Sequence, residues 1–278
     1  MMKKIVIGLL ALSCSFFIQA KERIVIAGGS ISELVYALGA GEQVIAVDET
    51  TTWPPETKDL PHIGYWKQLS AEGILSLKPT LFITWQDAGP QIIFEQLKPQ
   101  KLQVLTLPRI PATVEQMYSN IESLAQTLQR PDNGKKLVNN LRDRLAVIAQ
   151  KNATKAKPVE VLFILSAGSS APQVAGQGSV ADTILTLAGA NNLAKHQQYK
   201  SYSAEAIIAA NPDVIIVTTQ MVDGDIQKLS HIPGITRTAA WKNKRIIAID
   251  QALILGMGPR IADAVEQLHQ QMWPNTDQ

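Results

Sequence analysis

The chain has 278 residues, 46% hydrophobic and 18% charged, with one cysteine and a formal net charge of +2. Lys3 and Lys4 supply that excess, leaving 24 basic against 24 acidic residues beyond position 20, so the clustered basic surface that nucleic acid needs is not indicated. The one cysteine, Cys14, also lies in the first 20 residues, which excludes disulfides and thiolate chemistry from the rest of the chain.

Residues 1–20 read as a cleaved secretory signal peptide. Lys3 and Lys4 make a charged start, residues 5–18 are largely apolar, and Ala20 is small enough for a cleavage point. The apolar run is short for a membrane span of about 20 residues. It continues past Cys14 as Ser15-Phe16-Phe17-Ile18, which argues against a lipoprotein site. The remaining 258 residues suit two domains better than one. The pattern divides them into an N-terminal α/β lobe over 21–111, a helical connector over 112–156 and a C-terminal α/β lobe over 157–278.

Arg23-Ile24-Val25-Ile26-Ala27 predicts a buried strand stopped by Gly28-Gly29. A helix follows, with Ser30 or Ser32 as its cap and Ile31, Leu34, Val35 and Leu38 on its apolar face. Residues 44–47 form the next strand, and strand–helix–strand with short links means a parallel sheet. Gly28-Gly29-Ser30-Ile31-Ser32-Glu33 lacks the G-x-G-x-x-G spacing, and Glu33 would set a carboxylate against a pyrophosphate, so a dinucleotide site is disfavoured. Residues 50–61 form a polar, proline-bearing loop longer than an ordinary βα connection. Then come Gly64-Tyr65-Trp66-Lys67, a short helix capped by Ser70, and the strand 81–83.

This helix and strand recur downstream. Ser70, Ala71, Glu72 and Pro79 match Ser203, Ala204, Glu205 and Pro212 at a constant offset of 133 residues. The repeat reads as scaffold and the tyrosine loop, which does not recur in this reading, as the place of specificity. A short helix over 91–97 and a strand over 104–107 end the first lobe. Residues 112–150 are helical, interrupted at Arg130-Pro131-Asp132. Val114, Met117, Tyr118, Ile121, Leu124, Ala125 and Leu128, then Leu137, Leu141, Leu145 and Ile148, lie at three-four spacing. The second lobe contains strands over 159–165, 214–217 and 246–249 and helices over 181–187 and from Ser203. A last helix begins at Pro259, with Ile261, Ala264, Val265, Leu268 and Met272 on its apolar face.

Catalysis is not expected. No G-x-S-x-G elbow exists, and His62, His196, His231 and His269 lie singly, without the clustered donors of a zinc site. Tyr65, Trp66 and Lys67 instead place a phenol, an indole and an ammonium on one loop. If the loop is extended, positions 65 and 67 point the same way, and Lys67 would favour the phenolate. A free tyrosine titrates near ~10; ferric haem accepts a tyrosine axial ligand. From spacing alone, a ligand site and a Tyr-Trp pair that packs the loop onto the sheet are equally open.

Two segments carry a resemblance. Ala27-Gly28-Gly29-Ser30-Ile31-Ser32-Glu33-Leu34-Val35-Tyr36-Ala37-Leu38-Gly39-Ala40 is the first. The second is Gly64-Tyr65-x-Lys67-x-Leu69-Ser70-Ala71-Glu72-Gly73-Ile74-Leu75-Ser76-Leu77-Lys78-Pro79. Together they resemble the periplasmic haem-binding proteins of bacterial haem ABC importers, the HmuT/ShuT type. A wider resemblance to cobalamin and ferric-siderophore binding proteins covers 22–273. The haem-binding resemblance implies two parallel-sheet α/β lobes joined by a long helical linker, with ferric haem as transported ligand in the cleft between them. It also implies a periplasmic monomer that delivers the haem to a permease dimer in the inner membrane. It implies that Tyr65 is the axial iron ligand and that Lys67 assists it; the indole of Trp66, on its own chemistry, can cover a porphyrin face. Arg260 is the first candidate for a haem propionate, against a local pair with Asp263; Arg109 and Arg237 are weaker candidates. Glu72 and Glu205 dock the permease. Cobalamin or a ferric siderophore is the alternative cargo. Some members carry Leu-Ser-His-Gly where this chain has Leu165-Ser166-Ala167-Gly168, and Ala167 cannot supply their second ligand; His62 is a possible substitute.

Overall fold

The computed structural model describes residues 22–165 and 171–274. The proposed signal peptide and Ala167 lie outside them. β1 (Ile24–Ala27), β2 (Val44–Ala46), β3 (Leu81–Trp85) and β4 (Gln103–Leu107) form a sheet in the order β2-β1-β3-β4, with every pairing parallel. β1 and β3 are buried throughout because helices cover both faces of the sheet. Their side chains sort by alternation. Ile24, Ile26, Leu81, Ile83 and Trp85 face one core cluster; Val25, Ala27 and Phe82 face another, under α2 (Ala71–Ser76) and α3 (Ile92–Leu97).

The helix expected after β1 is α1 (Gly29–Ala37), but neither Ser30 nor Ser32 caps it. Gly28 is its N-cap, at φ 141°, and Ser32 is buried inside it, hydrogen-bonded with Thr51 at 3.1 Å. The first turn is satisfied from another segment: Gly29 N donates to Thr50 Oγ1 at 2.9 Å, and the buried Asp48 carboxylate accepts from the Thr50 and Thr51 hydroxyls. Sequence reasoning favours a local serine, whereas here a tertiary contact fills the same need. Ser70 caps α2 as expected, accepting from Gly73 N at 3.3 Å, and Ser203 repeats this for α7 (Ala204–Ala210) with Ala206 N at 3.3 Å. Lys78 and Asn211, each just before the repeat's proline, are both left-handed, at φ 50° and 41°. The repeat is therefore one of backbone as well as sequence.

The helical stretch after β4 is two helices, α4 (Val114–Thr127), capped by Thr113, and α5 (Pro131–Ala153), with Pro131 in its first turn. They cross closely at Gly134, where an added Cβ would stand 2.5 Å from Ala125 Cβ.

In the second lobe, β5 (Val159–Leu165), β9 (Val214–Thr218) and β10 (Ile246–Ile249) are parallel, and β7 (Ala190–Asn192) joins β5 in parallel. β6 (Gln173–Ala175) and β8 (Tyr199–Ser201) extend this sheet antiparallel from the end of β5. α6 (Val180–Leu187), α8 (Thr219–Val222), α9 (Ala239–Lys242), α10 (Gln251–Leu255) and α11 (Ile261–Met272) complete the lobe. Pro259 lies in the turn before α11, while the apolar residues expected on that helix are all buried.

One apolar cluster joins inner faces of both sheets to α1, α4, α5, α6 and α11. Arg144 fastens α5 to α11 through Asp263 at 2.7 Å and Glu266 at 2.8 Å. The two sheets thus share a helical core, and a cavity lies where their carboxyl ends converge.

Candidate functional site

In open α/β sheets, ligands bind outside the carboxyl ends of the strands, and here two such edges line one cavity of about 610 Å³. The first sheet contributes Gly29 and Ser30 after β1, Thr50 and Thr52 after β2, Trp85 at the end of β3 and Arg109 after β4. The second contributes Leu165 at the end of β5, Gln220 after β9, and Gln251 and Ala252 after β10. The volume suits one small-molecule or cofactor-sized ligand.

Tyr65, Trp66 and Lys67 form part of the first-lobe wall. Their loop is not extended: Gln68 N donates to Tyr65 O at 2.7 Å, so Trp66 and Lys67 occupy a tight turn. Gly64 enters it at φ 87°, a left-handed conformation that suits glycine. Gly89 N donates to Trp66 O at 3.0 Å, and Leu69 N to Gly89 O at 2.8 Å, fastening the turn to the segment after β3. Tyr65 is 40% exposed, with its ring edge-on to Trp66 at 5.7 Å. Two cations flank the Trp66 indole, Lys67 Nζ at 4.3 Å and Arg109 Cζ at 5.1 Å from its centroid.

Asp87 holds those cations in place. Its Oδ2 accepts from Lys67 Nζ at 2.9 Å and from Arg109 Nη2 at 2.8 Å, and its main-chain carbonyl accepts from Lys67 Nζ at 2.5 Å. Burial raises the Asp87 pKa, but hydrogen bonds from Arg109 and Lys67 outweigh it and hold the carboxyl below its ordinary value. Arg109 Nε is buried and has no hydrogen-bond partner among the described residues. The wall thus combines an accessible phenol, a flat indole and two positive groups with one carboxylate between them. That chemistry suits a planar anionic ligand.

Arg260 is placed differently. It is not among the residues lining the cavity, and its partner is not Asp263, which pairs with Arg144. Arg260 Nε donates to Glu33 Oε2 at 2.8 Å and Nη2 to Glu33 Oε1 at 2.5 Å, in a bidentate pair under the Trp53 ring. Glu33 is 6% exposed. Burial raises its pKa, with Arg260 opposing. The 227-residue separation hid this partner from sequence reasoning. His62 is exposed and bridges Val47 through its backbone, and neither it nor Arg237 lines the cavity.

Glu72 and Glu205 are exposed in the first turns of α2 and α7. The Glu205 carboxyl is held below its ordinary value by its own backbone N–H, the Ser203 hydroxyl and the charge of Arg237.

Sequence reading missed Tyr199, on β8, which lines the cavity from the second lobe. A signal was available. The 133-residue offset that pairs Ser70 with Ser203 also pairs Trp66-Lys67 with Tyr199-Lys200, and Asp87 with Gln220. An aromatic–lysine pair therefore recurs, with an exchanged aromatic and on a strand in place of a turn. Tyr199 is 36% exposed, yet enough protein surrounds its hydroxyl that burial pushes its pKa up to about 12, with the Arg109 charge opposing.

The solved structure of the periplasmic heme-binding protein RhuT from Roseiflexus sp. RS-1, in apo form, is 36% identical to this chain, with a TM-score of 0.85. The match covers 90% of this chain and 99% of that one. The periplasmic heme-binding protein HutB of Vibrio cholerae is 33% identical, with a TM-score of 0.83, over 92% of this chain and 100% of that one. A vitamin B12-binding protein of Photorhabdus laumondii is 27% identical over 91% of this chain and 88% of its own length. The family profile described as periplasmic binding protein matches residues 24–253. The shared fold, the cavity between two sheet edges and this match agree: the chain belongs to the periplasmic binding protein family.

Proposed function

We propose that this protein captures ferric haem in the periplasm as a monomer and delivers it to an ABC permease dimer, after a signal peptide at 1–20 is removed. The observation that carries the reading is Tyr65, accessible on the cavity wall beside a tryptophan flanked by Lys67 and Arg109. A ferric ion lowers the pKa of a bound acid, so the Tyr65 phenol is a suitable anionic axial ligand. Trp66 offers a flat apolar face. Lys67 and Arg109 attract the carboxylates of the porphyrin edge, in the role that Arg260 cannot fill while paired with Glu33. The 36% and 33% identities to heme-binding proteins support this cargo. Glu72 and Glu205, one on each lobe, are the contacts offered to the two halves of a symmetric permease.

Cobalamin is the second reading, favoured by the vitamin B12-binding relative at 27% identity. It has no need of a phenolate at position 65. Titration of the purified protein with ferric haem and, separately, with cyanocobalamin decides between them. Haem capture predicts a shifted Soret band with the charge-transfer bands of a tyrosine-ligated high-spin ferric haem, and no binding of the corrinoid. Tight corrinoid binding with an unchanged haem spectrum overturns it.

A further inference from the structure

Tyr199 stands at the position of the second lobe that the internal repeat assigns to Trp66, and it faces the same cavity as Trp66, Lys67 and Arg109. Its strand is anchored on both sides of Tyr199. β8 pairs with β6 from Gln173–Ser201 to Ala175–Tyr199. Just before it, Gln198 is left-handed at φ 55°, and its side-chain amide donates to Gly178 O at 2.9 Å. His196 Nε2 lies 3.1 Å from Val174 O, and its Nδ1 lies 3.2 Å from the Tyr202 hydroxyl. The first contact ties the segment before Tyr199 to β6, and the second joins that segment to the one after Tyr199. No hydrogen bond between the Tyr199 hydroxyl and another group of the protein is present among the described residues, although Arg109 is near enough for its charge to act on that hydroxyl.

Resting on the haem reading, we propose that Tyr199 is the second lobe's specificity residue: its hydroxyl donates a hydrogen bond to a porphyrin carboxylate that Lys67 and Arg109 attract from the first lobe. The carboxylate is then held from both sides of the cleft, and the ligand itself links the lobes. Tyr199 acts here as a donor: burial favours its protonated phenol, with a pKa of about 12, and it faces the Arg109 charge rather than a cation-free pocket. Tyr65 and Tyr199 therefore divide the work, one on the metal and one on the edge of the macrocycle.

The test uses ferric haem and ferric haem dimethyl ester, which lacks free carboxylates, with wild type and Tyr199→Phe. The substitution should weaken haem binding about tenfold, in the range of a hydrogen bond to a charged acceptor. It should leave the absorption bands in place and the affinity for the ester unchanged. Retained ester binding also reports an intact cleft. Equal haem affinity in the variant overturns the proposal. So does equal weakening for both ligands, which makes Tyr199 a wall, and so does a band shift with both, which makes it an iron ligand. If wild type binds no haem, the haem reading itself fails and this role falls with it; the wild-type arm identifies that outcome.

Discussion

Two arginines illustrate how a site is set by what a side chain already touches. Arg109 shares Asp87 with Lys67 and keeps a buried Nε with no hydrogen-bond partner among the described residues. Arg260 has its Nε and Nη2 bound to the two oxygens of one nearly buried carboxylate. Their substitutions should separate cleanly. Arg109→Gln should weaken ferric haem binding about tenfold, or about 1.4 kcal/mol, and cost less stability than Arg260→Gln, since Lys67 still pairs with the half-exposed Asp87. Arg260→Gln should leave affinity within about twofold but cost about 3 kcal/mol of stability, because it strands Glu33 without its cation. Haem titration and urea denaturation of the two variants check this, and the reverse pattern would return Arg260 to the site. Asp87 adds a pH dependence. Its folded pKa lies below the ordinary 3.8, so its contribution is complete above that value and is lost as pH falls through the folded value. Asp87→Asn should accordingly flatten the acid-side loss of stability, and an unchanged profile in urea unfolding between pH 5 and pH 3 would contradict the pairing.

Elements were legible where chemistry was local. β1 and β3 announced themselves as unbroken apolar runs because helices bury both of their faces. Tyr65, Trp66 and Lys67 could be proposed together because they are neighbours in the chain. Asp87 and Arg109 could not be joined to them, since the ends of β3 and β4 meet that turn only after the sheet forms. β6 and β8 are three residues each, and β8 is exposed throughout, so neither has an apolar alternation to read. The crossing of α4 and α5 at Gly134 was also invisible, because it depends on a distance between helices. That contact predicts that Gly134→Val costs about 1–3 kcal/mol by overpacking. Thermal unfolding of the variant checks it, with the haem spectrum of the folded protein unchanged. A melting temperature at or above that of wild type would show that α4 and α5 have room to separate.

At the scale of the whole molecule, the two sheets share one helical core, and Arg260–Glu33 joins α11 to α1 beside the cleft. A shared core favours limited movement between lobes over wide hinge opening. α2 and α7 pack on separate outer clusters, one in each lobe, and the proposed docking role of Glu72 and Glu205 can be tested directly. Replacing both by Ala should leave haem affinity intact and reduce delivery to the permease steeply, more than either single change, when uptake is measured in reconstituted vesicles. Normal delivery by the double variant would confine these glutamates to helix-terminus stabilisation. The whole functional reading rests in the end on one oxygen atom, the Tyr65 hydroxyl. Its most direct measurement is the visible and electron paramagnetic resonance spectrum of ferric haem bound to wild type and to Tyr65→Phe, with affinity from the same titration. Wild type should give a high-spin ferric haem with a tyrosinate charge-transfer band, and Tyr65→Phe should lose that band together with about tenfold or more in affinity, about 1.4 kcal/mol; an unchanged spectrum and affinity in the variant would contradict the assignment of Tyr65 to the iron.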